Sequence, residues 1–230
     1  MQVHTRQAAD VWLARGAVVI VAALQLFASA HVAVGPRLFA PGLEIALLIP
    51  LSVGTAWTHQ RAGRARTAAH RAGVARMRAW VHALAVALTA LLSAANLASL
   101  VLLVRQLVAG RGGPGPALLL DAADIWTTNV IIFALWFWNV DRSGPASSAA
   151  GREGPPEFLF STMLRDAGRG RDWRPGFIDY LYLAFTNATA LSPTDTMPLT
   201  ARAKLLMMFQ ACVSLITIVI VAGRAVNILQ

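Results

Sequence analysis

Six polar side chains lie close together in one short stretch of this sequence, between two apolar segments. The stretch reads FTNATALSPTDTMP (185–198), between FIDYLYLAF (177–185) and LLMMFQACVSLITIVIVAG (205–223). The six candidate residues, all within 186–195, are Thr186, Asn187, Thr189, Ser192, Thr194 and Asp195. Hydroxyl, amide and carboxylate oxygens can replace the hydration shell of a cation, and a ring of carboxylates attracts cations to a pore. One interpretation of these residues is therefore a filter-like, cation-binding group.

A local structural role explains the same residues without an ion. Pro193 ends one helix, and Asp195 or Thr200 can cap the next helix by accepting a hydrogen bond from a free backbone N–H. The hydroxyl and amide groups at 186–189 would then satisfy backbone groups at the tip of a segment that enters a membrane and turns back. A binding site for another kind of substrate is the third alternative.

Two further groups of polar residues lie within apolar segments. Gln210, Ser214 and Thr217 fall at i, i+4 and i+7, which places them on one face of a helix. The other group comprises Glu44, Asp121, Asp124 and Asn129. Either group can line a pore or form hydrogen bonds between helices. The carboxylates are also candidate proton sites, because acidic groups at membrane depth are costly and often functional.

Signatures of soluble enzyme chemistry are missing from the sequence. Its single cysteine, Cys212, excludes an intrachain disulfide and a metal site made of cysteines alone. No HExxH, CxxC or glycine-rich phosphate-binding loop occurs. We therefore predict no catalytic residue, no metal and no cofactor, and we do not expect an enzyme.

The composition indicates an integral membrane protein. The 230 residues are 57% hydrophobic and 13% charged, whereas soluble domains carry about 25% charged residues. A bilayer core of about 30 Å needs roughly 20 helical residues. Five segments meet that length: 11–34, 38–57, 80–104, 117–140 and 201–228. We predict an all-α polytopic membrane protein with about five transmembrane helices. The shorter segment 177–191 is predicted to be a re-entrant or interfacial half-helix.

The basic residues predict how the chain is oriented. Sixteen of the 20 Lys and Arg residues fall on one side of a five-span arrangement. The positive-inside rule then puts the N-terminus, the 59–79 loop and the 141–200 region in the cytoplasm, with the chain in the cell membrane. The net charge of +9 thus indicates anionic lipid headgroups, rather than nucleic acid, as the partner.

The 59–79 loop carries the most concentrated basic group of the N-terminal half. Four of its arginines share one face if the loop is helical: Arg61, Arg64, Arg71 and Arg78. Such a face can lie on anionic lipid headgroups. The alternative is an ordinary basic loop that only sets the topology.

The order of segments divides the chain into two parts. Residues 1–110 hold three predicted spans and the basic loop, and residues 111–230 hold the outer helix 117–140, a flexible loop 141–176, the half-helix 177–191 and the inner helix 201–228. The second part resembles the pore module of the potassium-channel superfamily. Aromatic residues precede a T-x-x-T (Thr186 to Thr189), and Asp195 and Pro198 follow in the order of the family motif. The chain also resembles bacterial membrane-protein families that have no established activity.

The filter motif departs from that family. No glycine lies between Thr186 and Pro198, whereas the family's filter needs glycines to point consecutive carbonyls at the ion. Pro193 also removes an N–H and fixes φ within the stretch. In the family this segment faces outward, whereas the arginine count puts it inside, as in the inverted pores of glutamate receptors. Selective potassium conduction is therefore not implied.

These observations lead to three functional hypotheses. The first is a channel-like homo-oligomer, with a tetramer favoured, that conducts monovalent cations through a non-standard filter loop at 186–195. The second is a small proton-coupled transporter, although five spans without a visible inverted repeat argue against it. The third is a non-conducting structural or partner-binding membrane protein.

Overall fold

The computed structural model describes residues 2–27, 68–110, 115–141, 154–167, 173–189 and 196–228. Outside these residues lie the predicted span at 38–57, Glu44, Arg61, Arg64, Ser192, Thr194 and Asp195. Arg71 and Arg78 lie on a described helix, although their side chains are not described. The described part of the chain is mostly helical, as predicted.

Six helices and two short strands make up the described fold. The helices are α1 (Gln2–Phe27), α2 (Ala68–Val108), α3 (Gly115–Val140), α4 (Ser161–Ala167), α5 (Phe177–Ala188) and α6 (Ala201–Ile228). The strands are β1 (Phe158–Phe160) and β2 (Thr196–Pro198). Sequence analysis missed both strands: β1 and helix α4 lie within the segment 141–176 that was predicted to be a flexible loop, and β2 lies between the predicted half-helix and the inner helix.

Three of the described helices are long and apolar enough to cross a membrane. Their apolar parts are Ala79–Val108, Pro116–Val140 and Ala201–Gly223. These match three of the five predicted spans. The apolar part of α1, Trp12–Leu24, is shorter. Helix α2 begins at Ala68, so the second half of the predicted 59–79 loop is the first part of a long helix.

Helix α3 lies at the centre of the fold and contacts α1, α2, α5 and α6. From Val130 to Asp141 every residue of its second half is buried except Trp136. Aromatic rings fill the space around it, with the ring of Phe137 5.2 Å from that of Phe158 and 6.0 Å from that of Phe133. A helix that is apolar on all sides is buried on all sides, which accounts for the central place of α3.

Helix α5 runs antiparallel to α3 along much of its length. At one end the ring of Phe177 lies 5.4 Å from that of Trp138. At the other end the ring of Phe185 lies 5.8 Å from that of Trp126. The two tryptophans are twelve residues apart, so α5 follows α3 for roughly 18 Å at 1.5 Å per residue.

A small antiparallel sheet closes the fold at the end where α3 stops and α6 starts. Strand β1 pairs with β2, with Leu159 opposite Met197. The backbone N–H of Leu199 donates to the carbonyl of Glu157 at 2.9 Å. Thr200 caps α6 by accepting from the N–H of Ala203 at 3.2 Å, which is one of the two predicted capping residues. The Thr200 hydroxyl in turn donates to the buried carboxylate of Glu157.

Asp141 joins this sheet to α3 and α5. Its Oδ2 accepts from the hydroxyl of Tyr180 at 2.7 Å, and its Oδ1 accepts from the N–H of Glu157 at 2.9 Å. Asp141 and Tyr180 are both fully buried. Burial and the neighbouring carboxylate of Asp141 hold the pKa of Tyr180 well above its usual value of 10.0. The phenol therefore stays protonated and remains a donor.

The start of α5 is held against α1. The N–H of Phe177 donates to Oδ1 of Asp10 at 3.1 Å, and the N–H of Gly176 donates to Oδ2 of Asp179 at 2.7 Å. A Cβ at position 176 would lie 2.8 Å from Oδ1 of Asp10, so a larger residue there would have to displace this carboxylate. Carboxylates at a helix N-terminus are favourable because they satisfy free N–H groups and complement the dipole.

We expect Tyr180→Phe to lower the free energy of unfolding by about 1–3 kcal/mol, because a buried carboxylate oxygen loses its donor. Because the pKa of Tyr180 is raised in the folded chain, its contribution to stability is fully present below about pH 10. That contribution is lost as the pH rises further, because the phenol ionises in the unfolded chain before it ionises in the folded one. Unfolding in detergent micelles at several pH values measures both effects.

The matched control is Tyr182→Phe, the same change two residues along α5, where the side chain is 53% exposed. It should leave the stability nearly unchanged. Equal effects of the two substitutions would contradict a specific role for the bond between Tyr180 and Asp141.

Candidate functional site

A buried polar cluster lies where the C-terminal end of α5 meets α6. Gln210, in α6, is completely buried, and its Nε2 donates to the carbonyl of Ala184 in α5 at 2.8 Å. Nδ2 of Asn187 donates to Oε1 of Gln210 at 2.8 Å and to the carbonyl of Met207 at 2.9 Å. Two amide side chains thus join α5 to α6 by three hydrogen bonds, in a region otherwise lined by apolar groups.

The cluster extends to α3 through Asn129. Nδ2 of Asn129 donates to Oγ of Ser214 at 2.8 Å, with a longer contact of 3.4 Å to the carbonyl of Gln210. One turn further along α6, Thr217 is buried and donates to the carbonyl of Val213 at 2.8 Å. The predicted stripe of Gln210, Ser214 and Thr217 is therefore buried: Gln210 bonds to α5, Ser214 to α3, and Thr217 to the backbone of α6 itself.

The hydroxyls of Thr186 and Thr189, at the end of α5, donate hydrogen bonds to backbone carbonyls of the same helix. The Thr186 hydroxyl donates to the carbonyls of Tyr182 at 2.9 Å and Leu183 at 3.1 Å. The Thr189 hydroxyl donates to the carbonyls of Phe185 at 3.1 Å and Thr186 at 3.0 Å. Of these carbonyls, that of Thr186 lies in the last turn, where carbonyls have no partner within the helix. The helix ends at Ala188, three residues before the predicted end, and Thr189 is its C-cap residue.

The structure brings together some of the predicted site residues and leaves others apart. Asn187, Asn129 and the Gln210 stripe form one hydrogen-bonded cluster. Asp121 and Asp124 lie five to eight residues before Asn129, toward the start of α3. Asp121 is buried, and Asp124 is partly buried. Oδ1 of Asp124 and Oγ1 of Thr128, one turn apart, have no hydrogen-bond partner in the described part of the chain.

Sequence analysis did not single out the polar group around Asp141, Glu157 and Tyr180. Asp141 directly follows the apolar run of α3, at a position typical of a headgroup-facing carboxylate. Glu157 and Thr200 come close to Asp141 only because β1 pairs with β2. A strand of three residues is too short to show an alternating pattern in the sequence. Within the described residues, no group of three or more His, Cys, Asp or Glu side chains is placed to hold a metal ion.

We expect Gln210→Leu to destabilise the fold by about 1–2 kcal/mol, because it removes interhelical hydrogen bonds that are worth roughly 0.6 kcal/mol on average. Unfolding in detergent measures the effect. Met208→Leu, at an exposed position on the same helix, is the control and should be neutral.

The double variant with Asn187→Leu extends this prediction. The stability lost in the double variant should be smaller than the sum of the losses in the two single variants, since each side chain is the other's hydrogen-bond partner. Additive losses would show that the bond between the two amides contributes nothing.

Comparison with known proteins leaves the chain without an assigned family. No protein-family model, no curated protein and no solved structure matches it.

Proposed function

We propose that this chain is a channel-like membrane protein in which α5 is a re-entrant half-helix between an outer helix, α3, and an inner helix, α6. The observation that supports the proposal is the place of α5. It contacts both long helices, begins at the end where α3 stops and α6 starts, and ends beside the middle of both.

The depth of α5 fits a re-entrant segment. Its end lies level with Gln210, nine residues into α6, which corresponds to roughly 14 Å. That is about half of a 30 Å bilayer core. Strand β2 follows α5 in the chain and lies back at the start of α6, beside Glu157. Half-helices of this kind are tolerated at membrane depth when protein groups satisfy their ends, and here the Thr189 hydroxyl donates to the carbonyl of Thr186 in the last turn.

The end of α5 also has the right electrostatics for a cation. A helix C-terminus carries a partial negative charge of roughly half a unit, which favours a positive ion nearby. The polar residues of the filter-like stretch sit at this end or directly follow it in the sequence. In the proposed pore, Asp195 supplies the only full negative charge among them and selects cations over anions.

A pore would require several copies of the chain, since two long helices and one half-helix do not enclose a channel. The exposed side of α6 offers a surface for assembly. Its exposed apolar residues recur at spacings of three and four: Met208, Cys212, Leu215 and Val219. This is the spacing of helices that pack side by side. The resemblance to potassium channels favours a tetramer.

A non-conducting membrane protein is the second candidate. The fully buried amide of Gln210 favours it, because Gln210, Ser214 and Thr217 are used within the chain and none of them faces the exposed side of α6. In that case the polar stretch only stabilises the re-entrant turn, and the chain serves to bind lipid or a partner.

The re-entrant path predicts that both flanks of α5 are reached from one side of the membrane. In a Cys212→Ala background, Leu164→Cys and Leu199→Cys should react with an impermeant maleimide from the same side, which the arginine count assigns to the cytoplasm. Ala109→Cys, between α2 and α3, should react from the opposite side. Labelling of Leu164→Cys and Leu199→Cys from opposite sides would mean that α5 crosses the membrane.

Ion flux tests the channel proposal directly. Purified protein in liposomes should pass K⁺ or Na⁺ and exclude Cl⁻, and Asp195→Asn should reduce the cation flux, because it removes the carboxylate at the constriction. Asp166→Asn makes the same chemical change in α4 and should leave the flux unaltered.

The outcomes separate the two candidates. Cation flux that falls only in Asp195→Asn supports a pore. Absence of flux from every ion, in protein that is intact and oligomeric, favours the non-conducting candidate. Flux that is equal in both variants would place the constriction elsewhere in the chain.

A further inference from the structure

A groove opens between the end of α3 and the start of α6. Its volume is about 430 Å³, which lies within the range of small-molecule sites. The lining residues are Trp136, Val140, Arg202, Leu205, Leu206 and Phe209. Five of the six are apolar, and Arg202 is the only charged side chain among them.

The charge and the apolar groups are separated along the membrane axis. Val140 is the last residue of the apolar part of α3, and Arg202 is the second residue of the apolar part of α6. In a membrane crossed by these helices, Arg202 would lie at the boundary between the hydrocarbon core and the headgroups. Phe209 lies seven residues further along α6, or roughly 10 Å deeper. The groove thus has a cation at headgroup level and an apolar wall beneath it.

Both walls are fixed by contacts outside the groove. The indole Nε1 of Trp136 donates to Oγ of Ser93 in α2 at 2.8 Å, which holds that ring in place. The ring of Phe209 lies 6.0 Å from that of Phe133 in α3. The groove is therefore preformed, so an occupant loses little free energy in ordering it.

We propose that this groove binds one anionic phospholipid, whose headgroup phosphate pairs with Arg202 and whose acyl chain lies along Leu205, Leu206 and Phe209. Guanidinium groups bind phosphate oxygens through paired hydrogen bonds, and an acyl chain gains free energy with each buried methylene group. A second copy of the chain would have to bring an acidic group to Arg202 at the same depth, whereas the membrane supplies phosphate there already. This site does not depend on conduction by the proposed pore.

Lipid retention by the full-length protein tests the proposal. Delipidated protein in detergent is mixed with phosphatidylglycerol or with phosphatidylcholine of the same acyl chains, and bound lipid is counted by native mass spectrometry. We expect a preference for phosphatidylglycerol that Arg202→Gln lowers roughly fivefold, the effect of one basic residue near a lipid surface. Lys204→Gln removes the same charge from an exposed position in the same turn, outside the groove, and should keep the preference.

A second variant tests the apolar half of the site. Leu205→Trp adds bulk at an exposed position that lines the groove, so folding should be preserved while retention of both lipids falls. Equal losses in Arg202→Gln and Lys204→Gln would indicate general charge attraction and overturn the proposal. No preference for phosphatidylglycerol, or unchanged retention in Leu205→Trp, would also overturn it. Dissociation of an oligomer by Leu205→Trp, with lipid retention unchanged, would show that a second copy fills the groove.

Discussion

The C-terminal end of α5 imposes the constraint on which the rest of this structure depends. A helix that stops inside a membrane protein leaves carbonyl groups that water cannot reach, and each unsatisfied group costs several kcal/mol at that depth. Here Thr189 donates to the carbonyl of Thr186 in the last turn, and the buried amide of Gln210, on a different helix, donates to the carbonyl of Ala184. Gln210 can act only if α6 lies beside α5 in one register, so a local requirement for hydrogen bonds fixes the packing of two helices.

The other end of α5 is held by charge and by the small sheet. Asp10 and Asp179 receive the free N–H groups of its first turn, and Asp141 receives the hydroxyl of Tyr180. Burial, with the nearby carboxylate of Asp10, raises the pKa of Asp179 above its usual range, an effect that the hydrogen bond from Gly176 opposes. Between these polar ends, α5 packs through aromatic rings against α3. Direction, depth and rotation of the half-helix are therefore all determined by contacts within a single chain.

Periodicity in the sequence predicted where the helices of this fold lie along the chain better than it predicted which helices pack against each other. The apolar runs predicted three described spans, and the spacing of Gln210, Ser214 and Thr217 predicted one face of α6. Neither pattern says which helix lies opposite, because Asn129 and Ser214 are 85 positions apart and Asp10 and Phe177 are 167 apart. The strands were missed for a different reason: three residues are too few for an alternation to be read. A short helix was predicted at 177–191, and the structure has one at Phe177–Ala188, with Thr189 as its C-cap residue.

The hydrogen bonds of the polar cluster orient the oxygen atoms that the proposed pore would offer to an ion. A hydroxyl or amide that donates to a backbone carbonyl keeps lone pairs on its own oxygen, but the bond fixes the direction in which that oxygen points. Thr186, Asn187 and Gln210 are oriented in this way. In the proposed pore, an ion would also draw on the oxygens that follow Thr189 and on the partial charge of the helix end, whereas Gln210 and its neighbours would hold that end in position.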